Sequence, residues 1–298
     1  MKTMSDRYRF FLPAAAILTA LASLTACASL GSVDTLSLIN IAAKSGEAVA
    51  KSFEDITPEQ EYYVGRAVGA NILAQYPPFA VAAANSYLNL LGQSLALVSD
   101  RPETFGGYHF LILDSAEINA FAAPGGLIFI SRGLLRCADS EDAVAAILAH
   151  EIGHVAKQHG LKAIKTARFK DAGLAIGLAA VEELGPSELA KVTAAFSGTI
   201  DDITSTLVNS GYSRSAEKEA DLAAVGILKA AGYDPRALVQ MLQVMEGRLQ
   251  SGGPDFAKTH PDPEDRIASI QAALASAAVP PPAPAARQSR YQAALGKI

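Results

Sequence analysis

The sequence predicts an α+β fold that is mostly helical and carries a small sheet. Most of the chain shows apolar residues at helical spacing between capping residues, which is typical of amphipathic helices. Residues 108–113 and 127–131 are short apolar runs that instead predict strands, and Pro124-Gly125-Gly126 predicts a hairpin or a sharp bend. With 298 residues, of which 50% are hydrophobic, the chain can bury a sizeable core in one large domain or two small ones.

The predicted helices are bounded by recognisable capping residues. Thr57 caps the first helix, with Pro58 at its first position, and either Asp139 or Ser140 can cap the third. Residues 161–212 hold a helical insert, which we interpret as core-packing helices; a flap resting on a membrane or a client protein is the alternative. The other predicted helices cover about 57–75, 80–98, 139–155, 213–231, 234–250 and 262–278.

The N-terminal segment predicts export and lipid attachment. Residues 1–26 combine a basic start, an uncharged run and closing small residues, which is typical of a signal peptide. Leu24-Thr25-Ala26-Cys27 resembles a bacterial lipobox, in which the cysteine becomes the lipidated first residue of the mature protein. We therefore expect a lipid on Cys27 and a tether over residues 27–56; an uncleaved membrane anchor is the alternative. Because Ala28 follows the cysteine, the expected location is the periplasmic face of the outer membrane.

Charge, cysteine content and the C-terminal composition give predictions about a nucleic-acid partner, a disulfide and the end of the chain. The formal net charge is −5 and there is no basic patch, which argues against a nucleic-acid partner. With Cys27 lipidated, Cys137 has no partner for a disulfide, so we expect a small buried residue there. Residues 279–298 are rich in proline and alanine and predict an extended, disordered tail.

The chemistry is predicted by the stretch His150-Glu151-Ile152-Gly153-His154. Residues four apart lie on one face of a helix, so His150 and His154 can bind the same metal ion. Glu151 lies beside this face, where it can act as a general base on a water molecule. Two imidazole ligands, a base and an open metal position are the requirements of a zinc peptidase. A chance occurrence of this short motif is the alternative.

The third ligand is expected on the helix that begins at Ser213. Glu217 and Asp221 are four residues apart and share a face, whereas Glu219 points elsewhere. Glu217 can bind the metal while Asp221 orients a ligand histidine through its ring N–H. Alone, these carboxylates fit a solvated acidic face better; together with the histidine pair they favour a metal site. On a continued helix His159 would face away from the histidine pair, so we interpret it as a surface or structural residue.

Four motifs, in order along the chain, resemble the zinc peptidase family that includes HtpX and the CAAX prenyl proteases. The match covers roughly residues 58–272. The motifs are Asn119-Ala120-Phe121-Ala122-x-Pro124-Gly125-Gly126, His150-Glu151-x-x-His154, Ser213-Arg214-x-x-Glu217-x-x-Ala220-Asp221, and Thr259-His260-Pro261 with Asp265-Arg266-Ile267. The resemblance implies a gluzincin fold, in which a small sheet packs over the H-E-x-x-H helix. It also implies that His150, His154 and Glu217 bind one zinc ion and that Glu151 is the base.

The chain is similar to periplasmic lipoprotein members of this family that are linked to outer-membrane protein quality control. The predicted function is a zinc-dependent metalloendopeptidase, formed by residues 57–278 and lipid-anchored in the bacterial cell envelope, that degrades misfolded or misassembled envelope proteins. An assembly factor or chaperone with little or regulated proteolysis is the alternative. The strand of Asn119, Ala120, Phe121 and Ala122 can pair along its edge with an extended substrate.

Two further side chains are predicted to act near the metal. Arg214 or His260 can donate a hydrogen bond to the oxyanion that forms during peptide hydrolysis. The prolines beside His260 hold it in a fixed direction. His260 can therefore alternatively occupy the open metal position and keep the peptidase latent.

Overall fold

The structure, a computed structural model, describes the predicted strands and the predicted helices outside the insert. The predicted signal peptide, Cys27 and most of the predicted insert lie outside the described residues, so these expectations stay predictions. No helix within the described ranges is both long and apolar enough to cross a membrane. The described ranges are 56–163, 200–248, 259–260, 263–275 and 280–298.

The predicted fold class is confirmed, since the described residues are mostly helical and contain one small sheet. The six helices predicted outside the insert are present with bounds shifted by a few residues, and the short helix Arg132–Leu135 was not predicted. Thr57 caps the first helix in a capping box with Gln60, and Ser140, not Asp139, caps the helix Glu141–Ala156. The helices are α1 (Pro58–Gln75), α2 (Ala82–Ala96), α3 (Arg132–Leu135), α4 (Glu141–Ala156), α5 (Arg214–Ala230), α6 (Arg236–Arg248), α7 (Pro263–Leu274) and α8 (Ala285–Leu295).

The sheet consists of β1 (His109–Leu113), β2 (Ala120–Ala123) and β3 (Leu127–Ser131), in the order β1-β3-β2. β1 runs parallel to β3, whereas β2 is antiparallel to β3. The predicted hairpin is therefore formed by β2 and β3. β2 has alanine at three of its four positions, and alanine favours strands only weakly. Only the family resemblance indicated this strand in the sequence.

The turn between β2 and β3 is held tightly against α1. Gly125 has a φ of 78°, in the left-handed region that favours glycine. A Cβ at Gly65 of α1 would lie 1.8 Å from the Pro124 carbonyl oxygen, so only glycine permits this approach. Glu61, also on α1, accepts a hydrogen bond from the Gly125 N–H at 3.1 Å and pairs with Arg101 at 2.6 Å. These contacts fix β2 relative to the helices.

Helix α4 runs through the centre of the hydrophobic core. Val144, Leu148 and Ile152 are fully buried, and α4 packs against α2, α5, α6 and β2. This burial on most sides explains the apolar character of its sequence. Cys137, which precedes α4, is buried as predicted, and its sulfur lies 3.5 Å from the Gly133 carbonyl oxygen.

The prediction of an extended tail is wrong for residues 285–295, which form α8. Prolines end at Pro284, and the alanine, arginine, glutamine and leucine that follow are good helix formers. Helix α8 packs on α4, where Arg290 Nη2 lies 2.6 Å from Glu141 Oε1. The side chain of Leu295 enters the core and is 5% exposed.

Replacing Leu295 with alanine should therefore lower the free energy of unfolding by about 2–5 kcal/mol, the usual cost of a large-to-small change in a core. Leu90→Ala is the matched control, because Leu90 is 73% exposed. Its effect should stay within about 0.5 kcal/mol, as at most surface positions. Urea unfolding measures both variants, and equal effects would show that α8 does not contribute to the core.

Candidate metal centre

Four potential metal donors from three segments of the chain meet in the core. His150 and His154 lie one turn apart on α4, Glu217 lies in the first turn of α5, and His260 precedes α7. All four side chains are buried. One potential ligand atom from each lies within 4.8 Å of the others. The structure thus brings together the three predicted ligands and adds His260 to them.

The donor atoms are close enough to share one ion. His150 Nε2 lies 3.1 Å from His154 Nε2 and 3.3 Å from His260 Nδ1. Glu217 places Oε2 3.0 Å from His260 Nδ1 and Oε1 3.4 Å from His154 Nε2. A tetrahedral zinc site with metal–donor distances of about 2.0–2.1 Å has donor atoms about 3.3 Å apart. The residues present therefore fit a zinc ion.

The charge of the surrounding groups also fits a divalent cation. Three buried carboxyl groups, those of Glu151, Glu217 and Asp221, lie beside the guanidinium of Arg266. Burial and Arg266 act to lower the pKa of His150, but its hydrogen bonds to Asp221 and Glu217 raise it to about 9, so this imidazole carries a proton when no metal is bound. A divalent cation that displaces this proton would balance the carboxylates instead, since buried charge of one sign is costly without a partner.

The protonation states of Glu217 and His154 suit metal binding as well. Burial opposes the ionisation of Glu217, yet His260 and His154 hold the pKa of its carboxyl well below the usual range. Burial lowers the pKa of His154, and the charge of Glu217 offsets this only in part. Glu217 is therefore a carboxylate and His154 a neutral imidazole, which are the forms that bind metal.

Glu151 lies beside the four donors without being one of them. Both of its carboxylate oxygens are buried and have no hydrogen-bond partner among the described residues. Such an atom calls for a functional explanation. Burial raises the pKa of Glu151, while His260 and His150 act in the opposite direction. A carboxylate with a raised pKa is better suited to accept a proton near neutral pH.

His150 is oriented by a buried ion pair. Its Nδ1 lies 2.9 Å from Asp221 Oδ1, the contact predicted from the helical spacing of Glu217 and Asp221. Arg266 donates to both Asp221 oxygens, at 2.7 and 2.8 Å, and its Nη1 lies 3.2 Å from Glu217 Oε2. The sequence predicted no role for Arg266, although the residue lies in the C-terminal motif Asp265-Arg266-Ile267.

The prediction that His159 faces away from the histidine pair is wrong. His159 is 2% exposed, and its Nδ1 lies 2.9 Å from His154 Nδ1. Helix α4 ends at Ala156, and Gln158 takes a φ of 57°. The regular helix is therefore interrupted before His159, so its position cannot be extrapolated along α4.

One further predicted site residue, Arg214, lies at the surface. It is the exposed first residue of α5 and is not among the four donors.

The residues of the predicted substrate strand are buried. Asn119 lies next to β2, and its Oδ1 accepts a hydrogen bond from the Thr259 hydroxyl at 3.0 Å. This bond joins the predicted substrate strand to the segment that carries His260. Ala120, Phe121 and Ala122 are the first three residues of β2, one of the two edge strands of the described sheet, and are all buried.

Comparison with protein families and curated proteins finds that the chain is similar to peptidases. The model of Peptidase family M48 matches residues 82–274. The beta-barrel assembly-enhancing protease of Escherichia coli (strain K12) is 30% identical over 247 residues, which cover 80% of this chain and 47% of the relative. A putative beta-barrel assembly-enhancing protease of Vibrio cholerae is 30% identical over 264 residues, covering 86% and 51% of the two chains.

A eukaryotic relative matches a shorter region. The mitochondrial metalloendopeptidase OMA1 of Schizosaccharomyces pombe is 30% identical over 168 residues, which cover 54% of this chain and 45% of the relative. The chain thus spans about half the length of the curated relatives it matches.

Proposed function

The chain belongs to peptidase family M48, and on that premise we propose that it is a zinc-dependent metalloendopeptidase of the bacterial cell envelope. Its proposed substrates are misfolded or misassembled envelope proteins. The proposal is supported above all by the buried group of His150, His154, Glu217 and His260. Beside it lies the Glu151 carboxylate, whose oxygens have no hydrogen-bond partner among the described residues and whose Oε1 lies 3.9 Å from His260 Nε2. Two relatives named as beta-barrel assembly-enhancing proteases support the role in envelope protein quality control.

The proposed mechanism assigns one task to each buried side chain. His150, His154 and Glu217 would hold the ion, and Asp221 keeps the His150 ring in position. When bound there, zinc would supply a lowered pKa for a water molecule and polarisation of the substrate carbonyl. Glu151 accepts a proton from the attacking water as the oxygen–carbon bond forms. It then passes that proton to the leaving nitrogen as the peptide bond breaks.

The substrate is proposed to bind along the outer edge of β2, as an added strand. β2 pairs with β3 on one side only. On the other side, the hydroxyl of Tyr212 donates to the Ala122 carbonyl oxygen at 3.4 Å, and the Tyr212 ring stacks on His154 at 4.5 Å. A peptide hydrogen-bonded to this edge would therefore pass next to the metal donors.

Degradation of an unfolded protein tests the proposed activity. The purified full chain should cleave casein, a chelator should abolish the cleavage, and zinc added back should restore it. Cleavage that persists after complete removal of metal would be incompatible with the proposal. A protein that binds zinc but leaves casein intact would favour the alternative of an assembly factor or chaperone.

That alternative is favoured by one observation, the position of His260. A catalytic zinc site keeps a coordination position open, whereas a structural site is closed by four protein ligands. His260 Nδ1 lies 3.3 Å from His150 Nε2 and 3.0 Å from Glu217 Oε2. It stands where a fourth ligand would close the site. We therefore propose that His260 keeps the peptidase latent until this segment moves.

Replacing His260 with alanine should raise casein cleavage and self-cleavage severalfold at matched zinc content, because an open coordination position admits water. The control is His109→Ala, since His109 is exposed and lies on β1. A lowered rate in His260→Ala would instead identify His260 as the oxyanion donor. An unchanged rate would leave it without either role.

Lipid attachment at Cys27 is a separate part of the proposal. Mass spectrometry of the membrane fraction should find a lipid-modified Cys27 as the mature N-terminus, and Cys27→Ser should abolish both the modification and the cleavage at that site. Cys137→Ser should keep the anchor, because Cys137 is buried in the folded domain. A wild-type mature N-terminus other than a modified Cys27 would rule out the lipoprotein assignment.

A further inference from the structure

His154 has a hydrogen-bonded partner, His159, on the side of its ring that faces away from the other three donors. Its Nε2 faces His150 and Glu217, whereas its Nδ1 lies 2.9 Å from Nδ1 of His159. The other nitrogen of His159, Nε2, lies 3.4 Å from Glu219 Oε2. His159 is buried, and the Glu219 side chain is 50% exposed. A chain of contacts therefore runs from the metal donors through two imidazoles to the surface.

The direction of these hydrogen bonds follows from metal binding at His154 Nε2. A nitrogen that binds metal carries no proton, so the proton of the neutral His154 ring lies on Nδ1. This N–H donates to His159 Nδ1, which must then be an unprotonated acceptor. The proton of the neutral His159 ring consequently lies on Nε2 and points to Glu219. One requirement thus fixes the tautomers of both histidines.

The backbone before His159 is held in an unfavourable conformation. Gln158 is the one non-glycine residue of the described ranges with a positive φ, at 57°, and left-handed conformations are costly for such residues. This conformation interrupts the helix between Ala156, the last residue of α4, and His159, whose ring contacts His154. Residues in sparsely populated conformations cluster at functional sites. The Tyr212 ring covers both imidazoles, at 4.5 Å from His154 and 5.6 Å from His159.

We propose that His159 is a positioning residue of the metal centre, which holds His154 in the tautomer and orientation that bind metal through Nε2. The inference rests on the proposed function, because it takes His154 as a metal ligand. The partner of His154 differs in kind from the partner of His150, where a buried carboxylate, Asp221, is the hydrogen-bond acceptor. At His154 a neutral imidazole is the acceptor, and the carboxylate of Glu219 lies one hydrogen bond further out.

Zinc affinity of the full chain tests this role, measured by competition with a chelator of known affinity. His159→Phe keeps an aromatic ring but removes the acceptor, and should weaken zinc binding by about 10–100-fold, the usual effect of losing a partner of a ligand. His159→Asn can place its Oδ1 where Nδ1 stands and should restore most of the affinity. His109→Phe is the matched control at an exposed histidine, and should bind zinc as the wild type does.

The outcomes separate this inference from the proposed function. A wild-type chain that binds no zinc would remove the proposed function itself. Tight wild-type binding together with an unchanged, folded His159→Phe would overturn only the role of His159. An Asn variant as weak as the Phe variant would also overturn it, because packing and not the acceptor would then be responsible.

The wild-type protein provides a measurement that does not depend on the folding of a variant. Nitrogen NMR of histidine-labelled, zinc-loaded protein should find the His159 proton on Nε2 and none on Nδ1. A proton on His159 Nδ1 would contradict the proposed direction of the hydrogen bond.

Discussion

Replacing Glu151 with glutamine should lower the rate of peptide hydrolysis by a factor of at least ~10²–10⁴, the usual contribution of a general base. Glutamine has nearly the same shape but cannot accept the proton of the attacking water. Glu151 is not one of the four donors, so zinc content should stay at the wild-type level. Casein cleavage at matched zinc content and matched melting temperature measures the effect.

The control for this variant is Glu103→Gln, which makes the same chemical change at an exposed loop position and should cleave at the wild-type rate. Wild-type speed in the Glu151 variant would show that another group acts as the base. Loss of zinc from that variant would show that Glu151 supports the metal, which the structure does not indicate.

Replacing Glu217 with alanine should weaken zinc binding by more than the roughly 10–100-fold that is typical for the loss of a partner of a ligand. Asp221→Ala should fall within that range, because Asp221 contacts His150 and not the other donors' ligand atoms. Glu219→Ala should have a smaller effect, because the Glu219 side chain is 50% exposed and water can replace its oxygens. Chelator competition on the three variants gives the ranking.

This ranking is a sharp test because Glu217 and Glu219 are two residues apart on the same helix. The Glu217 side chain is fully buried against His150 and His154, whereas Glu219 contacts Lys162 at the surface. Equal zinc affinities in these two variants would exclude Glu217 as a ligand. A larger loss of zinc affinity in Glu219→Ala than in Asp221→Ala would mean that the contact of Glu219 with His159 matters more for zinc binding than the contact of Asp221 with His150.

Local periodicity was sufficient to predict helices α1, α2 and α4 to α7 and the pairing of residues on one helix. The spacing of His150 and His154 on α4, and of Glu217 and Asp221 on α5, placed each pair on one face, and the structure shows both pairs turned to the same centre. These predictions depend only on the geometry of a regular helix. The bounds of α4 and α5 were accordingly close to the predicted ones.

The contacts that periodicity could not predict arise where a helix stops or where distant segments meet. His159 was misplaced because α4 ends at Ala156 and Gln158 takes a left-handed conformation, and no residue type marks that interruption. Arg266 lies 45 residues from Asp221 and gains its role only through burial beside it. Helix α8 was missed because the prolines before it dominate the composition of the tail, although they end where the helix begins.

The metal content of the purified full chain tests the central claim most directly. Elemental analysis should find one zinc ion per folded wild-type chain and far less in His150→Ala, because two donors on α4 are needed to hold the ion between α4 and α5. A melting temperature that rises on addition of zinc to the wild type, and not to the variant, would show that the ion binds the folded protein at this site. A folded wild-type chain that takes up no zinc, or a His150→Ala variant that retains as much zinc as the wild type, would contradict the claim that these residues form a zinc centre.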